Sequence, residues 1–135
     1  MGKIPTDTWV VVADGSKARM LRNVGEGMKL SLKQEQLLDW ENTLVEGGPS
    51  GRQPPETSGS HIDEATFAKE LANRLNAAAL KDEFAHLVLV ADPQTLGQIR
   101  PQLHQETTKR LLGELAKTLT NSPLADIERA LSAAE

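Results

Sequence analysis

Two aspartates stand directly after strongly apolar runs of the chain, where carboxylates can gather at one edge of a sheet. Asp14 follows WVVVA and Asp92 follows LVLVA, while Glu64 or Glu70 lies between them in the sequence. Such oxygen ligands suit Mg²⁺, and two such ions support phosphodiester hydrolysis. Asp14 also fits a turn and Asp92, before a proline, a helix cap. Asp14 and Asp92 are therefore candidate catalytic residues of a metal-dependent nuclease, with local structural roles as the alternative.

A second candidate site is the glycine- and proline-rich stretch VEGGPSGRQPPETSGSH, residues 45–61. Most connections in compact domains have about 4–6 residues, and longer ones are typically functional or disordered. The backbone N–H groups of such a stretch, with one arginine, suit contact with phosphate or another acidic partner. A plain surface linker is the alternative. Its candidate binding residues are Gly47, Gly48, Gly51, Arg52, Gln53 and His61.

Basic residues on the first strands form a third candidate site. Lys17, Arg19 and Arg22, with Lys29 and Lys33 on the next strand, could make a basic face for RNA. Lysines that protect an exposed sheet edge explain the same pattern. Two Trp, two Phe and no Tyr provide few platforms on which bases could stack. Lys17 and Arg19 are retained as candidate binding residues.

The composition limits the class of protein. A chain of 135 residues with 39% hydrophobic residues fits a single domain, residues 1–135, with a substantial core. A net charge of −4 excludes a general attraction to nucleic acid or to an anionic membrane. Without cysteine there is no disulfide or thiolate nucleophile, and His61, His86 and His104 lack metal-ligand spacing. We expect a cytoplasmic protein with no cofactor, no metal and no membrane partner.

Three strands are predicted in the first part of the chain. WVVVA is typical of a buried strand, and Asp14-Gly15 predicts a tight reversal into ARMLRN. MKLSLKQEQL, residues 28–37, alternates, with Met28, Leu30 and Leu32 on one face. These elements predict an antiparallel meander.

Helices and strands then alternate. SHIDEATFAKELANRLNAAAL predicts an amphipathic helix, FAHLVLVA a strand buried on both faces, and DPQTLGQIR a helix capped by Asp92 that Pro101 ends or kinks. NSPLADIERAL predicts a last helix. KRLLGELAKTLT fits a helix by propensity and a strand by alternation. If it is a strand, the fold is a mixed five-stranded α/β sheet, a meander followed by αβαβα, which is the ribonuclease H-like arrangement.

Four stretches carry a resemblance to a known family: WVVVADGSKARML, FAKELANRLNAA, HLVLVADPQTLGQIR and KTLTNSPLADIERAL. Together they resemble the bacterial host attachment protein family, which is related to the middle domain of archaeal and eukaryotic peptide release factors. The resemblance implies that LLGELAKTLT is a strand. It also implies that residues 45–61 correspond to the Gly-Gly-Gln loop with which release factors position a water on the peptidyl ester.

The residues of that loop depart from the release-factor pattern. Gly47 and Gly48 are followed by Pro49, and Gln53 comes five positions after Gly48. Proline lacks a backbone donor and has a fixed φ, so the hydrolytic geometry does not carry over. The resemblance therefore implies a non-catalytic binding or adaptor domain that affects host attachment indirectly. A ribosome- or RNA-associated factor and a metal-dependent nuclease are the alternatives, a protein partner is also compatible, and the oligomeric state stays open.

Overall fold

Five strands form one mixed sheet in a computed structural model of the chain, which describes residues 3–26, 29–39 and 64–133. The strands are β1 (Trp9–Ala13), β2 (Lys17–Asn23), β3 (Leu32–Asp39), β4 (Leu87–Ala91) and β5 (Leu111–Ala116). Their order in the sheet is β3-β2-β1-β4-β5. Strands β1, β2 and β3 are antiparallel neighbours, whereas β4 and β5 run parallel to β1. The predicted α/β fold, a meander followed by alternating helices and strands, is confirmed.

The described helices connect and cover the parallel strands. They are α1 (Glu64–Leu80), α2 (Pro93–Ile99), α3 (Gln105–Lys109) and α4 (Leu124–Ala133), with a 3₁₀ turn at Arg100–Gln102. The proline-containing turn follows directly on α2, as the predicted kink at Pro101 requires. The segment KRLLGELAKTLT, which fits both a helix and a strand by its sequence, forms a strand over Leu111–Ala116 despite its propensity for helix. None of the described helices has the length and apolar character needed to cross a membrane.

Each face of the sheet packs against a different set of helices. The face that α1 and α2 cover includes Val11 and Leu89, together with Phe67 and Leu71 of α1. Along the strands, every second side chain lies on the opposite face of the sheet, and that face packs against Ile127 and other residues of α4. All five residues of β4 are buried, which confirms the strand predicted from its continuous apolar run.

The third strand begins later than the sequence pattern predicts. Alternation over residues 28–37 predicted a strand from Met28, but β3 begins at Leu32, and Met28 lies outside the described residues. The chain instead makes a loop after β2, where the Val24 N–H donates to the Ser31 carbonyl at 2.7 Å. A Cβ on Gly25 would lie 2.2 Å from the Lys29 carbonyl oxygen, so this loop closes only around glycine.

The buried side chain of Asn23 holds this loop in place. Its Nδ2 donates to the carbonyls of Ile4 and Pro5 at 3.0 and 3.1 Å. Its Oδ1 accepts from the N–H groups of Gly25 and Ser31 at 2.9 and 3.0 Å. Asn23 is 1% exposed. Its side chain therefore makes the hydrogen bonds that water would otherwise make to these backbone groups. One asparagine therefore joins the N-terminal segment to the loop between β2 and β3.

We expect Asn23→Ala to lower the free energy of unfolding by about 2–4 kcal/mol, because it leaves several buried backbone groups without partners. Urea unfolding followed by circular dichroism measures the change. Asn121→Ala is the matched control, since Asn121 is exposed and accepts one hydrogen bond, from Lys17; its effect should stay within about 0.5 kcal/mol. Equal losses in the two variants would contradict the role of Asn23.

Candidate functional site

The carboxyl ends of β1 and β4 lie side by side, because Ala13 pairs with Ala91 in parallel register. Asp14 and Asp92 follow these two residues, so the structure brings both candidate aspartates to one edge of the sheet, as predicted. Together with Glu64 at the start of α1, they line a cleft of about 510 Å³. Glu70 is exposed on α1 and is not among the residues that line the cleft.

Asp14 is held by hydrogen bonds from two separate parts of the chain. Its Oδ1 accepts from the N–H groups of Ser16 at 2.8 Å and Lys17 at 2.9 Å, which closes the turn between β1 and β2. Its Oδ2 accepts from the hydroxyl of Thr120 at 2.7 Å. Partial burial alone would raise the pKa of Asp14, but the hydrogen bonds from Ser16, Thr120 and Lys17 together lower that pKa below its usual value. The fold therefore favours an ionised Asp14.

The other two carboxylates of the cleft also have local partners. Asp92 caps α2, accepting from the Thr95 N–H at 3.1 Å and from its hydroxyl at 2.7 Å. Glu64 accepts from Gln94 at 3.2 Å. The Glu64 side chain also lies over Gly15, where an added Cβ would come within 2.6 Å of it. These contacts hold the first turn of α1 between the β1–β2 turn and the start of α2.

No group of three or more His, Cys, Asp or Glu residues in the described parts of the chain is arranged to hold a metal ion. The carboxylates of this cleft serve a turn, a helix cap and a contact between helices. A catalytic role for Asp14 and Asp92 stays a prediction, and their geometry provides each with a structural role.

A second cleft, of about 440 Å³, lies beside the first and contains Lys17 and Arg19. Arg19 donates through Nε to Gln34 at 2.7 Å and through Nη1 to the Ser122 carbonyl at 2.6 Å. Lys17 donates to the side chain of Asn121 at 2.8 Å. Partial burial lowers the pKa of Arg19, although a guanidinium keeps its charge at neutral pH. Both cations are thus fixed against the loop that leads into α4.

The basic face predicted from the sequence is divided between the two sides of the sheet. Arg19 pairs with Val12, whose side chain packs on the α4 side. Arg22 pairs with Trp9, whose side chain packs on the α1 side. Arg22 also forms ion pairs with Glu35 at 2.7 Å and with Asp7 at 3.9 Å. Strand alternation separates the two arginines, so Lys17 and Arg19 are the cations that share a cleft.

Thr120 is a site residue that the sequence did not indicate. It is 5% exposed and joins the two clefts, because its hydroxyl donates to Asp14 and its carbonyl accepts from Arg19 at 3.3 Å. The first of these bonds connects residues 106 positions apart. Neither periodicity nor local spacing signals such a contact.

The candidate residues of the glycine- and proline-rich stretch lie outside the described residues: Gly47, Gly48, Gly51, Arg52, Gln53 and His61. Residues 40–63 separate β3 from α1, and both flanking elements are described. β3 ends where Asp39 pairs with Lys17, and α1 begins where Glu64 covers Gly15. Both flanks therefore lie beside the β1–β2 turn, at the same edge as the two clefts.

Comparison with known families identifies the lineage of this domain. The sequence model described as "Bacterial archaeo-eukaryotic release factor family 12" matches residues 7–131. The chain belongs to this family. The relation to release factors inferred from the sequence is thereby confirmed, whereas membership of the host attachment family is not supported.

No curated protein matches the chain. Among solved structures, the chain is similar to an archaeal translation termination factor, aRF1, with a TM-score of 0.47 and 12% sequence identity. The similarity covers 93% of this chain and 37% of the archaeal one, so the chain spans little more than a third of that factor.

We expect Asp14→Asn to destabilise the protein by about 1 kcal/mol at neutral pH, because the ionised carboxylate is the better acceptor for Thr120 and the turn N–H groups. Since the fold lowers the pKa of Asp14 from its usual 3.8, this contribution is complete above that value and is lost as the pH falls through the folded-state pKa. The difference in stability between wild type and variant should therefore be constant from neutral pH to about pH 5 and shrink below about pH 4.

Urea unfolding at a series of pH values measures this difference. Glu70→Gln is the control, because Glu70 is exposed on α1, outside the cleft. A stability difference for Asp14→Asn that persists unchanged to the lowest pH would show that the charge of Asp14 does not contribute.

Proposed function

We propose that this protein is a non-catalytic factor that binds ribosomal RNA through the cleft containing Lys17 and Arg19. The observation that carries the proposal is membership of a release-factor family over residues 7–131. Release factors act on the ribosome, so a related domain is suited to the same particle. Such a function would be performed in the cytoplasm.

The local arrangement of charge supports contact with phosphate. An ammonium has three donors and a guanidinium five. Lys17 uses one donor on Asn121, while Arg19 uses Nε and Nη1 on Gln34 and on the carbonyls of Thr120 and Ser122. Both cations keep further donors, and their positions are fixed before a ligand arrives. Preorganised charge of this kind is favourable because little side-chain entropy is lost on binding.

The stretch at residues 45–61 provides a second proposed contact. Both of its described flanks lie beside the β1–β2 turn, close to Lys17. Arg52 and Gln53 would then add one cation and one amide to the RNA contact. Because Pro49 rather than glutamine follows Gly48, we propose binding by this stretch and not hydrolysis of the peptidyl ester.

Co-sedimentation with purified ribosomes at about 50 and about 200 mM salt tests the proposal. We expect salt-sensitive binding that Lys17→Gln weakens by about three- to tenfold, with a decrease of about 1 in the slope of log affinity against log salt concentration. Glutamine keeps a donor for Asn121, so the loop before α4 should stay in place. Replacement of residues 47–53 by a Gly-Ser linker should weaken binding further.

Lys81→Gln is the matched control, because Lys81 is an exposed lysine that follows α1 at the opposite edge of the sheet. Its binding and salt slope should equal those of the wild type. Equal losses for Lys17→Gln and Lys81→Gln would indicate general charge attraction without a site. Absence of binding by the wild-type protein at the lower salt concentration would refute the proposed function.

A further inference from the structure

The cleft that contains Lys17 and Arg19 also has apolar residues in its wall. They are Leu37 of β3 and Pro123, which directly precedes α4. Leu37 is 44% exposed, and Pro123 is exposed as well. A single exposed apolar side chain is common on protein surfaces, but these two border a concave site beside two fixed cations. The cleft therefore offers positive charge and apolar surface to the same ligand.

Strand pairing places Leu37 next to Arg19. The two residues are directly opposite each other in the antiparallel pair of β2 and β3, and residues so placed have Cβ atoms about 4.5–5.5 Å apart. The pairing is regular at this point, because the register shift comes further along β2, between Met20 and Leu21. Directly opposite residues have their side chains on the same face, so Leu37 shares the α4 side of the sheet with Arg19.

The guanidinium of Arg19 provides a flat surface in this cleft. Its bonds from Nε to Gln34 and from Nη1 to the carbonyls of Thr120 and Ser122 fix its orientation. Guanidinium N–H groups lie in the plane of the group, so these bonds leave its faces uninvolved. Unpaired RNA bases stack on such planes as they do on aromatic rings. Arg19 can therefore support a base, although no aromatic side chain is among the described residues that line the cleft.

The size of the cleft is suited to more than a phosphate. Its volume is about 440 Å³, within the range of about 300–1,000 Å³ that is usual for sites of small organic ligands. A nucleotide is a ligand of this kind. In double-stranded RNA the bases stay inside the helix, whereas unpaired nucleotides can turn their bases towards a protein. The combination of cations and apolar wall thus fits an unpaired nucleotide better than the backbone of a duplex.

We infer that this cleft binds one unpaired nucleotide of RNA, with its phosphate at Lys17 and its base packed over the Arg19 guanidinium and against Leu37. The inference rests on the proposed function and narrows its ligand, because it specifies the kind of RNA that the cleft accepts. The phosphate pairs with the ammonium, and the base covers the apolar wall. Loops, bulges and ends of structured RNA contain nucleotides of this kind.

Two single-stranded RNAs of equal length, one with ordinary bases and one with stable abasic residues, separate the contribution of the base from that of the phosphate. Both strands carry the same backbone charge, so fluorescence anisotropy at one salt concentration compares their affinities for the wild-type protein. We expect the ordinary strand to bind about fivefold or more tightly than the abasic one, because a base that stacks on a protein side chain typically contributes at least this factor.

Leu37→Ala tests the apolar wall. We expect this variant to bind the ordinary strand about two- to fivefold more weakly, because it removes apolar surface beside the base. Its affinity for the abasic strand and its slope of log affinity against log salt concentration should be unchanged, since no charge is lost. Leu112→Ala is the matched control, because Leu112 has a similar exposure of 39% and lies on β5, at the opposite edge of the sheet. Circular dichroism verifies that both variants are folded.

The outcomes distinguish this inference from the proposed function. Equal affinities of the wild-type protein for the two strands, or binding to neither, would overturn the inference even where Lys17→Gln still weakens binding to ribosomes. Equal affinities together with weaker ribosome binding by Leu37→Ala would assign the leucine to a contact with a ribosomal protein, and would overturn it as well. A wild-type protein that binds neither the strands nor ribosomes would refute the inference and the proposed function together.

Discussion

Strand β1 is buried on both faces and is antiparallel to one neighbour and parallel to the other. Its interior residues are at most 1% exposed, so helices must cover both sides of the sheet. Antiparallel pairing with β2 requires a tight turn at the carboxyl end of β1, and parallel pairing with β4 requires a helical crossover that returns the chain to the amino end. The β1–β2 turn and the loop after β4 consequently meet at one edge. The positions of all described candidate residues in the two clefts depend on this pairing of β1 with its two neighbours.

The same edge explains why a partly buried carboxylate is tolerated there. An ionised group in such a position is costly unless hydrogen bonds replace its water. Asp14 obtains them from the turn that it begins and from Thr120, in the loop before α4. That link also forms the common wall of the two clefts, since Asp14 lines one and Thr120 the other. The position of Arg19 depends on it as well, because Arg19 donates to backbone carbonyls of the same loop.

Patterns within a single element were sufficient to predict most of the fold. The apolar run of β4, the four-residue spacing in α1 and the Asp92-Pro93 start of α2 are local signals, and the structure contains all three. Residues 111–116 needed the family resemblance, because their leucines suit a helix as well as a strand. The predicted start of β3 was wrong, because the residues before this strand form a loop that the side chain of Asn23 holds in place. Such a role of one side chain leaves no periodic pattern in the sequence.

The candidate site was predictable only in part, for a related reason. Strand order alone brings Asp14 and Asp92 together, and the sequence contained that information. The grouping of Lys17 with Arg19 and the exclusion of Arg22 follow from alternation along β2, which is a local pattern of the sequence. Thr120 could not be predicted, because its partner Asp14 is 106 residues away and no local pattern accompanies the contact.

The position of the two clefts side by side has a consequence for the proposed contact with RNA, because the protein as a whole is acidic. Asp14, Glu64 and Asp92 line one cleft and carry negative charge, whereas Lys17 and Arg19 carry positive charge in the other. Charges separated by less than about 8 Å are incompletely screened at physiological salt, so a phosphate would be repelled from the first cleft and attracted to the second. An RNA backbone would therefore approach across the α4 side of the β1–β2 turn. The carboxylates would then contribute to orientation without contacting the ligand, which is compatible with the structural bonds that each of them makes.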